Sequence, residues 1–145
     1  MEHPDLIVAS MRRELTQLGF HELRTPEEVE TFMEANRKGT ALVAVNSICG
    51  CAAGTMRPAI ARALEGQATP QALGTVFAGR DIEATERART FFTGYPPSSP
   101  ALAMFKDGEL VEMFERQHFK GRHPQMVADE LASAFDRHFT IGTTA

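Results

Sequence analysis

The chain has no excess of positive charge, no long apolar run and almost no cysteine, and each shortage excludes something. Its 15 basic and 19 acidic residues leave a formal net charge of −4. No basic stripe interleaved with aromatics is present, so a nucleic-acid backbone would meet repulsion rather than counterion release. No segment approaches the roughly 18 uninterrupted apolar residues of a membrane span. The opening MEHPDLIVAS lacks the positive and apolar regions of an export signal. The expectation is a cytoplasmic protein that binds neither nucleic acid nor membrane. There is no internal repeat or low-complexity tract, and 43% hydrophobic with 23% charged residues is a globular composition. At 145 residues the chain is expected to form one domain, residues 1–145, able to bury about two-thirds of its unfolded surface without a disulfide. The two cysteines, Cys49 and Cys51, stand one glycine apart in NSICGCAAG. In a reducing compartment such a pair is expected to be catalytic, redox-sensing or metal-binding rather than a staple.

What is present alternates helix and strand. Leu6, Ile7, Met11, Leu15 and Leu18 recur at helical spacing before Gly19, which predicts an amphipathic first helix. A short first strand around Glu22 to Arg24 precedes a second helix capped by Thr25, with Pro26 at its first position and Glu28 completing a capping box. Val29, Phe32 and Met33 form its apolar face, and Gly39 ends it. Ala41 to Asn46 is a continuous apolar run suited to a strand buried on both faces. After the cysteines, AAGTMRPAIARALEG predicts a helix ending at Gly66, kinked at Pro58 unless it starts late. Ala72 to Gly79 predicts another buried strand, and EATERARTFF a helix. ALAMFK and ELVEMFER flank Asp107-Gly108, a strong antiparallel hairpin signal. Pro124 opens a final helix whose Val127, Leu131, Phe135 and Phe139 share one face. The pattern implies a parallel core with right-handed crossovers and a terminal antiparallel edge.

Cys49 and Cys51 fall where a buried strand gives way to a helix, where free backbone N–H groups and the positive end of the helix dipole favour a thiolate. Lowering a thiol pKa from about 8.5 to about 6.5 raises the thiolate fraction at pH 7 roughly 25-fold. Intrinsic nucleophilicity falls roughly six- to tenfold in exchange, leaving a net gain of about three- to fourfold and a better leaving group. Closing Cys49 onto Cys51 makes a ring of about eleven atoms, about three fewer than a Cys-x-x-Cys ring, so the disulfide geometry is hard to satisfy. Gly50 is expected to supply the backbone freedom of the turn, and Asn46 and Ser47 to bond exposed amides beside it.

The run VNSICGCAAGTMRPA resembles the bacilliredoxin family, proteins of thioredoxin fold with a Cys-Gly-Cys motif. The resemblance continues through AGRDIEATERARTFFTGYPPSSPALAMFKDGELVEMFER to the last helix. It implies a thioredoxin-like three-layer α/β fold: a mixed sheet with a parallel core, a C-terminal antiparallel hairpin and an extra N-terminal helix. It also implies removal of bacillithiol, or a similar low-molecular-weight thiol, from mixed disulfides on client proteins. Cys49 would be the nucleophile and Cys51 the resolving cysteine, with the small thiol as co-substrate and no other cofactor. Some relatives are also described as disulfide isomerases. Pro100, at the start of the hairpin strand, matches the cis-proline that thioredoxin folds set opposite the active cysteines. Gly50, Ser99 and Pro100 are therefore the expected substrate-binding positions. S-thiolated clients are the expected partners, and the chain is expected to be a monomer or a weak homodimer.

Blander and rival readings bear on the same residues. The cysteines can be inert core thiols, and Pro100 a trans edge-strand proline. Arg57 is expected to be a solvated helix-face arginine rather than an aid to the thiolate. His3, His21, His118, His123 and His138 lack ligand spacing, and no metal site is expected from them. Phe91, Phe92, Phe105 and Phe114 are expected in the core. The rival from another class is a thiolate metal protein, holding Cu(I) with Met56 nearby, or zinc or an iron–sulfur cluster across a dimer. A redox-controlled binding module is a third.

Overall fold

The computed structural model describes residues 4–139; His3 lies outside them. Five strands form one mixed sheet in the order β1-β3-β2-β4-β5. These are β1 His21–Glu22, β2 Thr40–Asn46, β3 Ala72–Phe77, β4 Ala101–Lys106 and β5 Glu109–Phe114. β1 and β2 run parallel to β3, while β4 is antiparallel to both β2 and β5. β2 is central, and every residue from Ala41 to Asn46 is buried, as its unbroken apolar run predicts. Its alternating side chains supply two cores. Leu42 and Ala44 pack with α3 (Arg57–Ala63) and α5 (Pro124–Phe139), whereas Ala41, Val43 and Val45 pack with α2 (Pro26–Ala35) and α4 (Ile82–Arg89). The result is a helix–sheet–helix sandwich, with α1 (Pro4–Thr16) adding Leu15 to the first core.

Local chemistry accounts for the element ends. The hairpin turns at Asp107 and Gly108, with φ of 51° and 84°, and Asp107 Oδ1 accepts the Gly39 N–H at 2.8 Å. Thr25 caps α2 by accepting the Glu28 N–H at 3.1 Å. The Glu28 carboxylate, however, takes the Arg24 N–H at 2.6 Å rather than that of Thr25, so the box closes one residue early. Thr25→Ala is expected to cost about 1 kcal/mol, read as a fall in melting temperature of roughly 3 °C.

Several expectations need correction. In α1, Val8 and Leu15 are buried while Leu6 is 69% and Ile7 43% exposed. Between the two inward apolar residues lies Arg12, whose guanidinium turns onto Asp81; a search for apolar periodicity does not register a charged residue facing inward. At Pro58 the expected alternative of a late start holds, since α3 begins at Arg57. Ala52–Met56 form a π-helical turn in which the Arg57 N–H reaches back to Ala52 O. The wider turn relieves the ladder just before Pro58, which donates nothing and sits in the first turn of α3. That helix ends at Ala63, not Gly66; α4 ends at Arg89, β3 at Phe77 and β5 at Phe114. After β5, a 3-10 turn at Arg116–His118 is capped by Glu115. Phe92, Phe105 and Phe114 are core residues, but Phe91 is only half-buried and lies under the Arg87 guanidinium, 4.9 Å from its centre.

Candidate active site

The end of central strand β2 presents the two cysteines. Asn46 Oδ1 accepts the Ser47 N–H at 2.9 Å, and Ser47 Oγ accepts the Cys49 N–H at 3.1 Å. The polar pair before the cysteines thus folds the chain back on itself as its side-chain chemistry predicts. Helical backbone begins at Gly50, and the Cys51 N–H then points at Cys49 Sγ from 3.3 Å. Both thiols are free and half-buried. Cys51 leans on the core shared by α3 and α5, while Ile48 beside Cys49 is exposed.

This geometry favours the thiolate of Cys49. The Cys51 backbone N–H pulls its pKa below the ordinary thiol value, against partial burial, which pushes it up. The Cys51 thiol, the Arg116 guanidinium and the Ala52 N–H add to the lowering. Backbone amides at a helix start are therefore the main cause, in line with the reading of the strand-to-helix junction.

The site also holds what the sequence did not point to. Arg116 follows β5, far along the chain from the cysteines, and its backbone N–H donates to Ser98 Oγ at 2.8 Å. Arg57 is not solvated at all: its side chain is 2% exposed. Nη1 donates to Asn46 Oδ1 at 2.8 Å and to Ser47 O at 3.0 Å, and Nε to Glu14 Oε1 at 2.7 Å. An arginine between Met56 and Pro58 in an alanine-rich helical segment reads as surface; only the fold shows that it lies against the end of β2. Gly50 also departs from expectation. It takes helical backbone, and an added Cβ would meet nothing within 4 Å. The dithiol turn therefore does not demand glycine for its backbone conformation.

The fold brings Pro100 to the same end of the sheet. Val45 pairs with Ala101 across β2 and β4, so Pro100 sits level with Asn46, next to the cysteine turn. The Ser99–Pro100 peptide is cis, Pro100 is buried and Ser99 half-buried. Arg89 holds this loop through a bond to Ser98 O at 3.3 Å.

For the metal rival, the described residues contain no group of three or more His, Cys, Asp or Glu side chains placed to hold an ion. Met56 is completely buried in the core. His118 and His123 accept backbone N–H groups from Glu115 and Gln125, and His138 pairs with Glu112 at 2.8 Å. No helix among the described residues is long and apolar enough to cross a membrane.

The same architecture is found in solved thioredoxins. That of Fasciola hepatica superposes with a TM-score of 0.54 at 20% identity, over 82% of this chain and 99% of its own. A mutant thioredoxin from Halobacterium salinarum superposes at 0.52 with 15% identity, over 86% of this chain and all of its own. These likenesses establish a thioredoxin-like fold, and this chain carries two free thiols at its strand-to-helix junction. Residues 3–139 match the family described as Disulphide isomerase. A bacilliredoxin from Cytophaga hutchinsonii is 51% identical over 92% of this chain and 98% of its own length. Those from Salinibacter ruber and Geobacillus kaustophilus are 48% and 49% identical, over 95% and 91% of this chain and 82% and 90% of their own. The chain belongs to the bacilliredoxin family.

Proposed function

We propose that the protein removes a bacillithiol-type small thiol from mixed disulfides on client proteins in the cytoplasm. The observation that carries this reading is the half-buried Cys49 sulfur facing the Cys51 N–H at 3.3 Å: an amide-stabilised thiolate beside a second thiol. Cys49 attacks the small-thiol sulfur, forming one disulfide as the client disulfide breaks; the client leaves as a thiolate and takes up a proton. A second small thiol, or Cys51, then releases the cargo from Cys49. Every step exchanges one disulfide for another with no net oxidation: when Cys51 closes onto Cys49 the small thiol leaves reduced and the protein keeps the disulfide. Ser99 and Pro100, level with the end of β2, would border the bound substrate, and Arg116 would hold the anionic sulfur. Disulfide isomerisation at the same site is the second reading, favoured by the family description.

Intact-mass measurement after mixing Cys51→Ala and Cys49→Ala variants with a bacillithiolated client tests the roles. The expected result is a small-thiol adduct that accumulates on Cys49 of the first variant and is absent from the second. Accumulation on Cys51 of the second variant but never on Cys49 of the first would reverse the assignment.

A further inference from the structure

We infer that Arg57 is a positioning residue that sets the reactivity of Cys49 through the Asn46–Ser47 turn and ties that turn to the N-terminal helix. The inference rests on the proposed role of Cys49 as the attacking thiol.

The chain of contacts is continuous. Glu14 on α1 accepts from Arg57 Nε at 2.7 Å. Arg57 Nη1 donates both to Asn46 Oδ1 and to Ser47 O. Asn46 Oδ1 also takes the Ser47 N–H, Asn46 Nδ2 donates to Met11 O on α1 at 3.2 Å, and Ser47 Oγ takes the Cys49 N–H. Two residues further on is the Cys51 N–H that faces the Cys49 sulfur. A guanidinium fork fixes two acceptors in one plane, which a flexible side chain cannot do. Without it, Asn46 Oδ1 and Ser47 O lose their common donor, and the turn loosens where a few tenths of an ångström decide whether the Cys51 N–H stays on Cys49 Sγ. Arg116 and Cys51 are the side chains that bear on Cys49, and Glu14 is the charged partner of Arg57. With its bonds committed to Glu14, Asn46 and Ser47, Arg57 acts on the sulfur through the turn.

The test follows alkylation of Cys49 by iodoacetamide against pH, read on the Cys49 peptide by mass spectrometry, in the full chain. Arg57→Met is expected to move the midpoint to higher pH, with a roughly tenfold fall in the thiolate-to-thiol ratio. Ile60→Val, in the core one turn along α3, is expected to lower the melting temperature and leave the midpoint in place. A destabilised Arg57→Met with the wild-type midpoint would overturn the proposal. Should Arg57→Met fail to fold, Glu14→Ala decides, since that side chain is 46% exposed. Removing its negative charge would by electrostatics alone make the Cys49 thiolate easier to form, whereas a loosened Arg57 makes it harder. A midpoint that rises supports the inference, and one that stays or falls overturns it. Midpoints that move as expected, alongside small-thiol transfer that does not depend on Cys49, would sink the proposed function and leave the positioning role standing.

Discussion

Asp81→Ala is expected to lower the free energy of unfolding by about 3 kcal/mol, seen as a drop of roughly 10 °C in melting temperature. Arg12 makes a bidentate pair with Asp81, both bonds 2.9 Å, and the two side chains are only 12% and 6% exposed. Asp81 also strengthens the hold of Arg12 on its proton, chiefly through this hydrogen bonding. Removing the carboxylate leaves the Arg12 guanidinium with little water over the Phe77 ring, 5.0 Å from its centroid, and takes from Arg24 a partner 3.7 Å away. Breaking a buried pair costs about 3–5 kcal/mol, mainly through the charge left behind. The lower end applies because Glu22 already stands 3.8 Å from Arg12 and can take part of its charge. The double variant Arg12→Met with Asp81→Leu removes both charges and should recover most of the loss, since apolar replacement of a buried pair is often neutral. Chemical denaturation of the two variants beside the wild type measures this. A single-variant cost below about 1 kcal/mol would show that Arg12 is far better solvated than its burial implies. The pair matters beyond stability: together with Glu14 on Arg57 and Met11 O on Asn46, it ties α1 to the end of the sheet.

How far the sequence reveals the fold depends on which forces mark it. Strands β2, β3 and β4, the hairpin at Asp107-Gly108 and helices α2 and α5 are legible because burial writes continuous apolar runs or four-residue spacing, and Pro and Gly punctuate the ends. The setting of the cysteines is legible because the strand-to-helix junction that favours the Cys49 thiolate is itself local. What escapes notice is carried by charged residues facing inward. Arg12 and Arg57 look like surface residues in a stretch of chain, and only the packing of α1 across the ends of β2 and β3 makes them structural. Arg116 is equally hidden, because its effect on Cys49 depends on the return of β5 to the same end of the sheet. The π turn at Ala52–Met56 escapes for another reason: Pro58 announces a missing donor, but kinking, a late start and a widened turn all satisfy that constraint.

The Cys49–Cys51 disulfide is expected to be a poor store of oxidising equivalents and an easy one to reduce, with a potential near −210 mV, about 60 mV above that of thioredoxin. Two features push the same way. Cys51 has helical φ and ψ of −63° and −32°, and side chains two residues apart in such backbone point to different faces. The ring of about eleven atoms must therefore be closed by distorting the turn that Asn46, Ser47 and Arg57 hold. A strain of about 3 kcal/mol corresponds to roughly 60 mV for a two-electron couple. The Cys51 N–H bond to the Cys49 sulfur also stabilises the reduced form, as any preference for the thiolate must. Against a cytosolic poise near −300 mV, the pair would rest as a dithiol by roughly a thousandfold, the state that the proposed attack on a mixed disulfide requires. In the proposed cycle the same strain would leave an internal disulfide open to a small thiol, so turnover would not end in a stable oxidised trap. Equilibration in glutathione buffers, quenching by alkylation and mass analysis give the potential directly. A value at or below about −270 mV would mean that the turn relaxes on oxidation and that the close spacing imposes no redox bias.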